Sequence, residues 1–176
     1  MHELALFDPH ARISVPANLE WQPTPVEALA KQYGMLTLQK QGSSSQGMPT
    51  GANPTGSLDW SFSGLIYFPN TCLFVADGGF LTHTMWPLTE NTTQWEARIY
   101  YPKAKTPAQQ FSQEYSRATF VDGVLVEDGG KFEKTQSTLA SGAKEEGMLA
   151  DEEVLIRHHY NVTERFFIAW EGEAVS

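Results

Sequence analysis

Few side chains in this 176-residue chain have the types and spacing to do chemistry. Glu127 and Asp128 stand together in VEDGGKFEKTQSTLASG (126–142), just ahead of two glycines and an amphipathic run. Two readings compete for the pair. Carboxylates at the start of a helix offset its unpaired N–H groups and its positive end, worth about 1 kcal/mol. Alternatively, Asp128 is a hard anionic oxygen donor for a metal ion. His158 and His159 also invite a metal reading. Neighbouring helical side chains diverge by about 100°, however, so the two do not converge on one ion. His159 falls on an apolar stripe that His158 borders, which is the pattern of packed core histidines. His83 sits mid-strand between Thr82 and Thr84 and faces either a cavity or solvent. His2 and His10 lie eight positions apart near the N-terminus, a spacing that specifies no site. Cys72 is the chain's single cysteine, so it forms no internal disulfide and no Cys-based zinc or iron–sulfur centre. Its setting, NTCLFVADG, reads as a buried strand with the thiol as a small core residue. No G-x-S-x-G elbow, P-loop, dinucleotide glycine fingerprint or H-E-x-x-H occurs, so hydrolase, NTPase and zinc-protease readings lack positive support.

The bulk numbers bound the partners. A hydrophobic fraction of 41% over 176 residues fits one globular domain spanning 1–176. A formal charge of −9 counts against a nucleic-acid surface, which needs a basic stripe, and against an anionic membrane. There is no long apolar span and no leader pattern, which leads us to expect a soluble, cytoplasmic protein. Asn91-Thr92-Thr93 matches a glycosylation acceptor, which carries meaning only on a secretory route.

Any chemistry needs elements to hold it. Residues 1–22 alternate around Leu4, Leu6, Ile13 and Val15 and predict one or two strands, broken at Asp8-Pro9. PVEALAKQY (25–33) predicts a short helix with Pro25 in its first turn and Gly34 as its stop. The Gly-, Ser- and Pro-rich stretch 39–57 predicts a flexible loop or lid. Four strand-like runs follow at 58–69, 71–78, 79–88 and 92–102, with a hairpin signal at Asp77-Gly78-Gly79. In the last, Trp95, Ala97, Ile99 and Tyr101 share one face, while Gln94, Glu96, Arg98 and Tyr100 share the other. This is the pattern of an antiparallel meander with one wet face. Helices are predicted at 107–121, 128–140 and 151–170, the last opened by Asp151 as its N-cap. Leu155, His159, Val162, Phe166 and Ala169 form one stripe on it, to be buried under the sheet. Strands first and helices last is an α+β order.

Two long segments carry a resemblance. LIYFPNTCLFVADGGFLTHTMWPLTENTTQWEARIYYP (65–102) and EDGGKFEKTQSTLASGAKEEGMLADEEVLIRHHYNVTERF (127–166) resemble the catalytic domain of Rieske-type non-haem iron oxygenases, the large (alpha) subunits of aromatic-ring-hydroxylating dioxygenases. LFDPHARISVP (6–16) also resembles family sequence. In that family an acidic pair precedes a helix with a Gln eight residues beyond the second acid, the spacing of Asp128 and Gln136 here. The resemblance implies a helix-grip fold, a curved antiparallel sheet closing over a long C-terminal helix. It implies that Asp128 is the carboxylate of a mononuclear Fe(II) site that uses two histidines and one carboxylate and activates O₂ beside an apolar substrate. It further implies an aromatic small-molecule substrate and a homo-oligomer, a trimer in the family. A beta subunit and a ferredoxin or reductase would complete the full-length system.

The chain also departs from the family pattern. No H-x4-H pair is present, and neither are the C-x-H and C-x2-H ligands of a Rieske cluster. The expectation is a C-terminal part of the catalytic domain that holds one iron ligand and no Rieske cluster, and is inactive alone. A stand-alone helix-grip module binding a hydrophobic small molecule is the alternative, with Val124, Leu125, Phe62 and Phe74 as candidate pocket residues or ordinary core. A domain kept for oligomer contacts is a third.

Overall fold

Period-two alternation is realised as six strands: β1 (Glu3–Phe7), β2 (His10–Pro16), β3 (Trp60–Tyr67), β4 (Thr71–Ala76), β5 (Gly79–Thr89) and β6 (Thr92–Tyr100). They form one antiparallel sheet in sequence order. The computed structural model describes residues 3–20, 22–32, 59–76, 78–142 and 147–174. The loop or lid expected at 39–57, and the stop at Gly34, lie outside these residues, as does Asp77 of the hairpin signal. Gly78 takes φ 88°, a backbone state that side chains disfavour. At Gly79 an added Cβ would run into the Tyr100 carbonyl oxygen, so β5 can approach β6 closely only with glycine there.

The helices are α1 (Pro25–Gln32), α2 (Pro107–Ala118), α3 (Val126–Ala140) and α4 (Val154–Ala174). Thr24 and Glu27 close a capping box at the start of α1. The Thr24 N–H donates to Glu27 Oε2 at 2.9 Å, and the Glu27 N–H donates back to Thr24 Oγ1 at 3.4 Å. α1 leans on α2, where the buried Ser112 hydroxyl donates to the Ala30 carbonyl at 2.6 Å. Thr106 caps α2, with its hydroxyl accepting from the Gln109 N–H.

The architecture is α+β, a curved open antiparallel sheet with a long helix, in keeping with a helix-grip arrangement. Its core lies where β4, β5 and the segment after α2 meet. Ala76, Leu81 and Phe120 are buried together there, and Phe62, Phe74, Ile99 and Tyr101 pack around them. The wet face expected of the meander is only partly wet. On β3, Ser61 and Ser63 are buried, and Ser63 Oγ stands 3.1 Å from Ser14 Oγ and accepts from Trp60 Nε1 at 3.0 Å. The bonded pair Ser14–Ser63 shows how small hydroxyls can be buried at a central strand, whereas the buried Ser61 Oγ has no partner among the described residues.

The last helix corrects the sequence reading in two ways. It begins at Val154, three residues after Asp151, which lies in a turn. Glu153 Oε2 instead accepts from the Ala150 N–H, and Arg157 donates to the carbonyls of Ala150 and Asp151, so the turn is tied to the helix by side chains. The stripe is also covered only along its first half. Val162 is buried and His159 half-buried, while Phe166 and Ala169 are exposed. The cause is where α4 meets the sheet. It rests on the turn end, with Phe68 against the rings of His159 and Phe166, and Arg165 pairs with Asp8.

Candidate functional site

Sheet register sets the site. Cys72 pairs with His83, and His83 pairs with Ala97. Phe74 pairs with Leu81, and Met85 with Trp95. Strand alternation then places Phe74, His83, Met85 and Trp95 on one face, with His83 and Trp95 as diagonal neighbours. Their rings stack at 5.3 Å with 18° between planes, and Trp95 Nε1 donates to His83 Nδ1 at 2.8 Å. Phe74 and Phe120 meet the imidazole edge-on at 5.4 and 6.0 Å.

The opposite wall is helical. The reading of 107–121 and 128–140 as separate helices is corrected here: α2 runs through a π-helical segment, Thr119–Leu125, directly into α3. Leu125 and Val126 keep right-handed helical dihedrals at the junction. Glu127 and Asp128 therefore cap nothing, because α3 has no free first turn and no side-chain cap. The capping reading of the acidic pair fails for that reason. The two residues divide instead. Glu127 is exposed and pairs with Lys131, which lowers its pKa through that hydrogen bond and charge. Asp128 is half-buried and lines a cavity beneath the sheet. Single π-turns within α-helices recur at functional sites.

That cavity has a volume of about 230 Å³. Its wall is almost wholly apolar, with Phe62, Phe74, Met85, Trp95, Phe120 and Val124 prominent, and its titratable residues are Cys72, His83 and Asp128. Burial lowers the His83 pKa, and the charge of Asp128 partly opposes this. Burial raises that of the Cys72 thiol, so the thiol stays protonated, which suits a packing residue and not a nucleophile. Of the four pocket residues expected from sequence, Phe62, Phe74 and Val124 line the cavity. Leu125 packs against the Ala76–Leu81–Phe120 cluster instead. His83, Met85, Trp95, Phe120 and Phe132 were not singled out as pocket residues, although the parity of β5 and β6 positions carries the signal for three of them.

A larger groove of about 680 Å³ adjoins, sharing Met85, Trp95 and Phe132 with the cavity. Gln136 lines this groove, and its Nε2 donates to Asn91 Oδ1 at 3.0 Å. The Asp128–Gln136 motif thus spans two compartments. The other described histidines are elsewhere, and His2 lies outside the described residues. His10 Nδ1 accepts from the Phe68 N–H at 3.1 Å, His159 packs on Phe68, and His158 has a buried Nε2 with no partner among the described residues. Among the described residues no three or more His, Cys, Asp or Glu side chains cluster as a metal site, so a two-histidine, one-carboxylate iron set does not fit these residues by themselves. No helix among them is long and apolar enough to cross a membrane.

Comparison with known proteins adds an independent line. The family model for the ring hydroxylating alpha subunit (catalytic domain) matches residues 3–167. Searches of curated proteins and of solved structures each gave no significant match. The matched range contains every strand of the sheet, the continuous helical wall and most of α4. With the family matched over nearly its whole length, the chain belongs to the catalytic domains of ring-hydroxylating alpha subunits.

Proposed function

We propose that this domain holds an aromatic small molecule in the cavity beneath its sheet and presents Asp128 to a mononuclear non-haem Fe(II) as the carboxylate ligand. The observation that carries the reading is the placement of Asp128. Its carboxylate is half-buried in an apolar cavity, where its charge reaches His83 and Lys131, and it serves no helix cap. The two imidazoles of the family's set are assigned to residues other than those described here. On this reading the chain is the C-terminal part of the catalytic domain and has no oxygenase activity by itself, since iron affinity comes from converging ligands. The same reading carries a cytoplasmic homo-oligomer, a trimer in the family, with a beta subunit and a ferredoxin or reductase in the full-length system.

The test is metal analysis after anaerobic Fe(II) loading of the chain and of Asp128→Ala, together with oxygen consumption in the presence of a reductant. Weak iron retention that disappears in the variant, without oxygen consumption, supports the proposal. Turnover of an aromatic compound by the chain alone overturns it.

A second reading, an iron-independent binding module, is favoured by the absence of a three-donor cluster among the described residues. Aromatic ligands binding with equal affinity to the chain and to Asp128→Ala, with no iron retained by either, would select it.

A further inference from the structure

We propose that His83 is the specificity-determining residue of this cavity, its Nε2–H anchoring a neutral carbonyl oxygen on a single-ring aromatic ligand. The inference rests on the reading of the cavity as an aromatic site. An indole N–H is a donor only, so the Trp95 hydrogen bond requires an unprotonated Nδ1 on His83. In a neutral imidazole the proton then sits on Nε2. Burial also lowers the pKa of this imidazole, with the charge of Asp128 opposing. The stack on Trp95 and the edge contacts to Phe74 and Phe120 fix the ring's orientation. No described residue hydrogen-bonds Nε2.

No other described residue of the wall can do this work. The Trp95 N–H is spent on His83, Cys72 offers only a weak thiol donor, and the Asp128 carboxylate accepts. Among the described residues the cavity therefore has a single strong, oriented and unmatched donor in an apolar wall. A ligand without an acceptor leaves that N–H desolvated and unpaired, which is how buried polar groups reject close analogues. In the iron-free chain the charge of Asp128 in the same cavity disfavours a ligand carboxylate and selects a neutral acceptor. One ring fills the cavity itself: an apolar cavity of roughly 150 Å³ takes up benzene, so about 230 Å³ seats a ring with one small substituent or two, and anything longer extends into the adjoining groove.

The experiment is calorimetric titration of the full chain, without iron, with acetophenone, ethylbenzene and benzoate, repeated on His83→Phe, His83→Gln and Trp95→Phe. We expect the chain to prefer acetophenone over ethylbenzene by about tenfold, the scale of one buried hydrogen bond. His83→Phe brings the ratio of acetophenone to ethylbenzene affinity to about one. His83→Gln, which retains a donor and serves as the folded control, keeps part of it. Nitrogen NMR reports the tautomer directly, with an unprotonated Nδ1 in the chain and a mixed signal in Trp95→Phe. An unchanged preference in His83→Phe, a protonated Nδ1 in the chain, or benzoate binding more tightly than acetophenone overturns the assignment. Rings that bind without any preference sink the His83 role alone. Rings that do not bind at all sink the aromatic-site reading as well.

Discussion

Glu127 and Asp128 are adjacent in the chain, yet they meet opposite environments. The first pairs with Lys131 in solvent, and the second lines an apolar cavity. The division follows from the α-helical backbone that α3 already has at 127 and 128, where consecutive side chains diverge by about 100°.

Because Asp128 caps nothing, Asp128→Ala should spare the fold. A lost cap costs about 1 kcal/mol. Here we expect urea unfolding to show no such loss, or a small gain from removing a carboxylate in an apolar wall. A destabilisation of cap size, with reduced helicity by circular dichroism, would restore the capping explanation.

Leu81 is 1% exposed at the centre of the core cluster. Leu81→Ala should destabilise by about 2–5 kcal/mol, through lost transfer energy and the cavity left behind. Chemical denaturation of the two proteins measures it.

Gly79→Ala drives a methyl group into the Tyr100 carbonyl across the β5–β6 pair. Separation of the strands is expected to cost about 1–3 kcal/mol. Hydrogen exchange should show the loss concentrated at β5 and β6, whereas Gly130→Ala, with nothing near its added Cβ, should not.

His83 has a pKa held below its ordinary 6.5, first by burial. The unfolded chain therefore binds the proton more readily than the folded one. Stability from this group is complete above the ordinary value and declines as pH falls from there toward the lower folded value. Stability of the chain should slope upward with pH across that window, and His83→Phe should flatten the slope. Equal slopes would mean that the imidazole is solvated in the folded state.

The sheet was legible because period-two alternation survives in β3 to β6, and hairpin connections leave little freedom in strand order. The join of α2 to α3 was not. A π turn breaks the 3.6-residue period, and Asp122-Gly123 mimics a loop, so periodicity predicts two helices where one path runs. His83 could be placed on a strand but not on a face. Its parity becomes decisive only once Met85 is known to oppose Trp95, because that register puts His83 on the indole's side. The uncovered half of the α4 stripe was illegible for another reason. Periodicity reveals an apolar face, not the length of sheet available to cover it.

The wide turn at Thr119–Leu125 also fixes the rotational phase of everything after it. Straightening those 7 residues into an ordinary α-helix, with none deleted, would rotate the downstream helix by roughly 100°. The carboxylate at position 128 would then swing out of the cavity while the rod itself remained intact. The segment acts as the angular setting of the site, and a substitution that straightens it while conserving every pocket side chain would still disarm it.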